Sequence, residues 1–194
     1  MKANRPIIFI AHSLGGLVCA NGLCGRYNSD DPQLDVINNT CGAIFLGTPF
    51  KGSDKAVWPN LATKFLKLFS DTNDKTIKDL DKKSEKLQDI SWQFHLLLRE
   101  RHDTQPLRPI QVACFFETKS TIKKKWGLNG NLEQIVTADS ASIAGYKALP
   151  INANHSTMCK FSDVQDTGYI DVTSALKLMI DNLEKESPSC EVWR

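Results

Sequence analysis

Ser13 lies in the run Ala11-His12-Ser13-Leu14-Gly15-Gly16, directly after the apolar residues Ile7-Ile8-Phe9-Ile10. This fits the nucleophile elbow G-x-S-x-G, with Ala11 in place of the first glycine. The spacing has a mechanical reason. Strand and helix approach closely on either side of the serine, so the positions two before and two after it carry almost no side chain. The hydroxyl is then lifted out on a strained turn where a base can reach it. In elbow enzymes the partners follow in the chain order serine, acid, histidine. His155 is the one histidine beyond the last predicted strands. It is the expected general base, taking the Ser13 proton and later returning it to the leaving group. Three carboxylates could accept its Nδ1–H, preferred in the order Glu117, Asp139, Glu133. Glu117 leads because it stands at the carboxyl end of a buried strand, where open α/β sheets carry functional groups. The Leu14 backbone N–H is an expected oxyanion donor. His12 reads as a packing or hydrogen-bonding residue of the elbow, and His95 and His102 as surface residues.

The elements that must position these groups follow from hydropathy. Ile7 to Ile10 is too short for a helix and rich in β-branched and aromatic residues, as in a strand buried on both faces. A helix is predicted from about Leu14 to Leu23. Arg26 to Asp31 is polar loop, and Asp31-Pro32 opens a second helix ending near Asn38-Asn39. Ala43 to Leu46 is the second strand, closed by Gly47-Thr48-Pro49. Ile110 to Phe116 is the third, and Leu132 to Thr137 the fourth strand candidate. Gly145-Tyr146 and Leu149-Pro150-Ile151 lead into the His155 loop. Val172, Leu176, Met179 and Leu183 mark a final amphipathic helix. This alternation predicts an α/β fold, a mostly parallel sheet flanked by helices. Lys55 to Arg101 reads as a helical insertion. Trp58, Leu61, Phe65 and Leu68 line one helix, and Ile77, Leu80, Leu87, Ile90, Phe94 and Leu97 another. It would act either as a cap over the site or as outer-layer helices. A domain over residues 1–186 and a polar tail over 187–194 are expected.

Composition narrows the class. The 194 residues suffice for one domain with a real core, and a net charge of +2 is too small to argue for nucleic acid. No apolar run approaches the length of a membrane span, and with only Met1 to Pro6 ahead of the first strand no signal peptide is expected. Cys19, Cys24, Cys41, Cys114, Cys159 and Cys190 are expected as reduced, buried small hydrophobes. None has zinc-ligand spacing, and the chemistry calls for no cofactor.

In combination and order, several runs resemble the SERAC1-like branch of the α/β-hydrolase superfamily, serine-active-site proteins related to lipases and to GPI-inositol deacylases. They are Ala11 to Gly16, Phe45-Leu46-Gly47-Thr48-Pro49, Phe115-Phe116-Glu117-Thr118, Val136 to Ala141, and Ala153-Asn154-His155 with Met158 and Lys160-Phe161. The similarity extends from Arg5 to about Tyr169. It implies a partial α/β-hydrolase fold with Ser13 and His155 catalytic, and the family glutamate after the third strand lands on Glu117. It also implies an ester or lipid substrate, links to phospholipid metabolism, and association with mitochondrial or endoplasmic reticulum membranes. In fungal relatives the same domain often precedes NACHT, ankyrin or TPR regions. Two departures stand out. Phe50 replaces the histidine usual after Thr-Pro. Family members also carry strands before the elbow, including the loop that gives the second oxyanion donor. The chain is therefore expected to be the C-terminal half of a hydrolase, truncated at its N-terminus and weakly active or inactive, because one lost oxyanion donor typically costs about 10²–10³ in turnover. The rival expectation is a non-catalytic interaction or regulatory module that keeps the hydrolase shape. Lys123-Lys124-Lys125-Trp126 offers either one a peripheral contact with an anionic membrane.

Overall fold

Every residue of β2 (Thr40–Leu46) is buried. Its side chains alternate between two apolar clusters, Ala43 and Phe45 in one, Ile44 and Leu46 in the other. Burial on both faces is the mark of a parallel strand with helices above and below. The computed structural model describes residues 5–25, 32–51, 75–103, 108–122 and 132–186. In it β1 (Ile7–His12) and β3 (Gln111–Glu117) flank β2 in parallel. The strand β6 (Ala148–Ile151) pairs in parallel with β3, giving the order β1-β2-β3-β6. Two short strands, β4 (Thr121–Ile122) and β5 (Leu132–Glu133), form a separate antiparallel pair.

The helices supply the two layers. The first cluster joins Leu17, Ala20 and Leu23 of α1 (Leu14–Leu23) to Ile37 of α2 (Pro32–Asn39). It also takes in Ile90, Phe94 and Leu98 of α3 (Lys75–Asp103) and Ala141 of α4 (Ala138–Ala141). The second sets Val172 and Met179 of α5 (Thr167–Glu186) against Ile44, Leu46 and Phe115. From Ile90 onward α3 thus packs as a layer helix. Its last turn is pinned by Arg101, which is buried and donates to the carbonyls of Ile37 (3.1 Å), Thr40 (2.8 Å) and Arg108 (2.9 Å). Three carbonyl acceptors satisfy a guanidinium that would otherwise be costly to bury. Phe50 stacks on Phe94 and meets Phe45 edge-on, so it is a core aromatic. Among the described residues β1 pairs only with β2, and Ile10 and Val18 beside it stay exposed.

The α/β class, the first three strands and the helices at α1, α2 and α5 agree with the sequence reading. The fourth strand does not. Leu132 to Thr137 contributes two residues to a side ribbon, and the main sheet takes β6 instead. Hydrogen bonding explains the exchange: the Ile135 and Val136 N–H groups are engaged by the Glu117 carboxylate rather than by a neighbouring strand. Pro150 is tolerated in β6 because that strand lies at the sheet edge. The first insertion helix, the Lys123 to Trp126 run and Cys190 lie outside the described residues.

A close approach fixes Gly16. A Cβ there would sit 2.0 Å from Thr48 Oγ1 and 2.6 Å from Thr48 Cγ2, whereas one at Gly22 would meet nothing within 4 Å. Gly16→Ala should therefore lower stability by about 1–3 kcal/mol. Gly22→Ala should raise it by roughly 0.5–1 kcal/mol through helix propensity. Thermal unfolding followed by circular dichroism reads both, and equal melting temperatures for the two variants would contradict the packing described.

Candidate active site

The parallel register sets His12 beside Leu46, Leu46 beside Phe115, and Glu117 beside Ile151. The carboxyl ends of all four strands therefore converge at one edge, and the segments leaving them carry the polar groups, as open parallel sheets do. Ser13 follows β1 with φ 59° and ψ −134°. It is the one non-glycine residue with positive φ among those described, a strained conformation of the kind that clusters at functional sites. Its own N–H donates to the Leu46 carbonyl at 2.9 Å, and its carbonyl accepts from Gly16 N at 3.1 Å. Leu14, the next residue, opens α1, where first-turn N–H groups have no intrahelical acceptor.

His155 is fully buried in the loop after β6. Its Nε2 lies 3.0 Å from Ser13 Oγ and its Nδ1 3.4 Å from Glu117 Oε2. The second distance is at the long end for a hydrogen bond. Local bonds shape the loop. The Asn154 side-chain oxygen accepts from the N–H groups of Ser156 (3.0 Å) and Thr157 (3.1 Å), an Asx turn. Thr118 N donates to Ile151 O and Lys119 N to Ala153 O, both at 3.0 Å, tying the exit of β3 to the approach to His155. Gly47, with φ 57°, makes room for the ring: a Cβ there would come within 3.0 Å of His155 Cε1 and 2.8 Å of Met158 Sδ.

Glu117 is also fully buried. Its Oε1 accepts from Ile135 N (2.9 Å) and Val136 N (2.6 Å), leaving Oε2 toward the imidazole, and its carbonyl accepts from Gln134 Nε2. Asp139, the alternative acid, is not brought to His155. It stands at the start of α4 with its side chain 80% exposed and pairs with Lys51 Nζ at 2.9 Å. The Phe50 and Lys51 N–H groups both reach the Ser140 carbonyl, so this corner braces the loop after β2. For Glu133 the structure describes only the backbone, in β5. His95 lies against Trp92, and His102 hydrogen-bonds Asp103 at the exposed end of α3.

Three of the cysteines are poor nucleophiles. Burial pushes the Cys114 thiol up to about 12 and those of Cys19 and Cys24 up to about 11, which suppresses the thiolate. These cysteines are free, but of the described ones only Cys41 and Cys114 are fully buried. Among the described residues no cluster of three or more His, Cys, Asp or Glu is spaced to hold a metal ion. Two contributors escaped the sequence reading, the clearance at Gly47 and the contact from Gln134, while His12 is the hydrogen-bonding residue expected, with the His155 carbonyl as its partner. A glycine immediately after a buried strand was the available signal for the first.

The chain is an α/β protein, and it is related to a named set of vertebrate proteins. It is similar to protein SERAC1 from Mus musculus (30% identical), Homo sapiens (29%) and Bos taurus (28%), each over 159 residues. That is 81% of this chain but 21% of each relative, so the chain spans about a fifth of their length. The resemblance read from the motifs is thus borne out. No family model and no solved structure matches. None of the described helices is long and apolar enough to cross a membrane.

Because two buried N–H groups depend on one carboxylate oxygen, Glu117→Ala should cost at least about 2 kcal/mol, with Glu117→Gln costing less since its amide oxygen can still accept. Urea unfolding measures both. Equal stability of Glu117→Ala and the parent chain would show that those donors have other acceptors.

Proposed function

We propose that this chain is the catalytic core of a serine hydrolase of the α/β-hydrolase type, cleaving carboxylic esters through an acyl-enzyme on Ser13. One observation carries the reading: a buried imidazole stands between a strained serine hydroxyl at 3.0 Å and a buried carboxylate at 3.4 Å. Ser13 Oγ attacks the ester carbonyl while His155 Nε2 takes its proton. Glu117 holds the Nδ1–H of the imidazolium that forms. The Leu14 N–H donates to the oxyanion. His155 then protonates the leaving alcohol, and the same pair activates water to release the acid and regenerate Ser13.

A lipid ester is the finer proposal. It is supported by the relation to SERAC1-like proteins and by exposed apolar side chains beside the elbow, Ile10, Leu14 and Val18. Peripheral association with mitochondrial or endoplasmic reticulum membranes is proposed on the resemblance alone.

Turnover of p-nitrophenyl esters tests the chemistry. Ser13→Ala and His155→Ala should each lower kcat/KM by at least about 10³-fold, and Glu117→Gln by about 10²–10⁴-fold. Asp139→Asn should leave turnover unchanged. Equal turnover by Ser13→Ala and the parent chain would overturn the proposal and favour the non-catalytic module. For the lipid preference, rates should rise from acetyl to octanoyl esters.

A further inference from the structure

His12 and Ser13 are adjacent, yet both reach the same residue across the site. Ser13 Oγ meets the ring of His155, while His12 Nε2 lies 2.9 Å from the His155 carbonyl oxygen. The two imidazoles also lie against one another, with ring centroids 5.0 Å apart and planes inclined by 36°. Neighbouring residues of the loop are held by Asn154, which bonds Ser156 and Thr157, and by Lys119, which bonds Ala153. The His12 bond acts on the main chain of residue 155 itself.

We propose that His12 is a positioning residue, holding the His155 main chain and ring so that Nε2 meets the Ser13 hydroxyl; this rests on the hydrolase reading above. His12 is the last residue of β1, so its backbone is fixed by pairing with Leu46. The elbow thereby carries its own gauge for the base. One residue sets where the loop comes to rest, and the next supplies the hydroxyl that must lie within hydrogen-bond reach. The carbonyl can only accept, so His12 Nε2 must carry the proton. Burial keeps the His12 imidazole below the usual histidine range, with the bond to the carbonyl opposing that shift. The neutral Nε2–H tautomer satisfies both demands. Misplacing a reacting group by about 1 Å can cost roughly 10²-fold in rate, which is the scale such a brace controls.

Two substitutions separate bracing from packing. His12→Leu keeps apolar bulk but cannot donate. His12→Gln carries a terminal N–H₂ at a reach similar to Nε2. His12→Leu should lower kcat for a short p-nitrophenyl ester by about 10- to 100-fold with KM nearly unchanged. His12→Gln should recover most of that loss, and both should melt close to the parent chain. Nitrogen-15 spectra of the histidine rings give a readout independent of turnover. His12 should be the Nε2–H tautomer, and the His155 signals should move in His12→Leu and return in His12→Gln. An Nδ1–H tautomer at His12, or unmoved His155 signals, would overturn the brace whether or not the chain hydrolyses esters. Loss of kcat in His12→Leu without recovery in His12→Gln would do the same. A parent chain without turnover would count against the hydrolase reading, and the spectra would still decide the brace.

Discussion

A fully buried imidazole constrains everything around it. Both ring nitrogens of His155 are removed from water, and an unpaired buried polar atom costs about 1–3 kcal/mol. Ser13 answers one nitrogen and Glu117 the other. Each partner imposes a condition of its own. Ser13 reaches the ring from a backbone conformation few side chains adopt, held there by the Leu46 carbonyl. Glu117 can be buried because two backbone N–H groups occupy its other oxygen. Gly47 must lack a side chain because the ring lies against its backbone.

The parallel sheet makes these conditions compatible. Strands of one direction deliver all their carboxyl ends to one edge, so groups far apart in the chain arrive together with little demand on the connections. Residues 13 and 155 are 142 positions apart, yet each is only a short step from a strand end. The layers then stiffen the edge. Leu17, Ala20 and Leu23 bury α1 behind the elbow, and Val172 and Met179 bury α5 behind the His155 side. Rigid elements behind short loops hold catalytic groups more closely than loops alone.

How much of this was legible in the sequence depended on whether a residue's neighbours were local. The elbow, the runs that became β1, β2 and β3, and the final helix were legible because apolar periodicity and small-residue spacing are local signals. Residues 148–151 were not, since a proline within a short apolar run argues against a strand until the run is seen to lie at an edge. Leu132 to Thr137 looked like a strand, but the N–H groups of Ile135 and Val136 serve the Glu117 side chain instead of a neighbouring strand. Arg101 carried no local signal of burial, because two of its three carbonyl acceptors, on Ile37 and Thr40, lie 64 and 61 positions away. Spacing alone left Glu117, Asp139 and Glu133 open, because the distinction lies in strand register. Pairing with Ile151 brings Glu117 beside the His155 loop, while Asp139 ends on Lys51.

The account stands or falls on the reactivity of one hydroxyl. Peptide mapping by mass spectrometry after exposure of the chain to a fluorophosphonate finds where the phosphonyl group is attached. The account predicts one adduct, on Ser13, absent when His155 is replaced by alanine. An unmodified Ser13, or equal modification with and without His155, would contradict it.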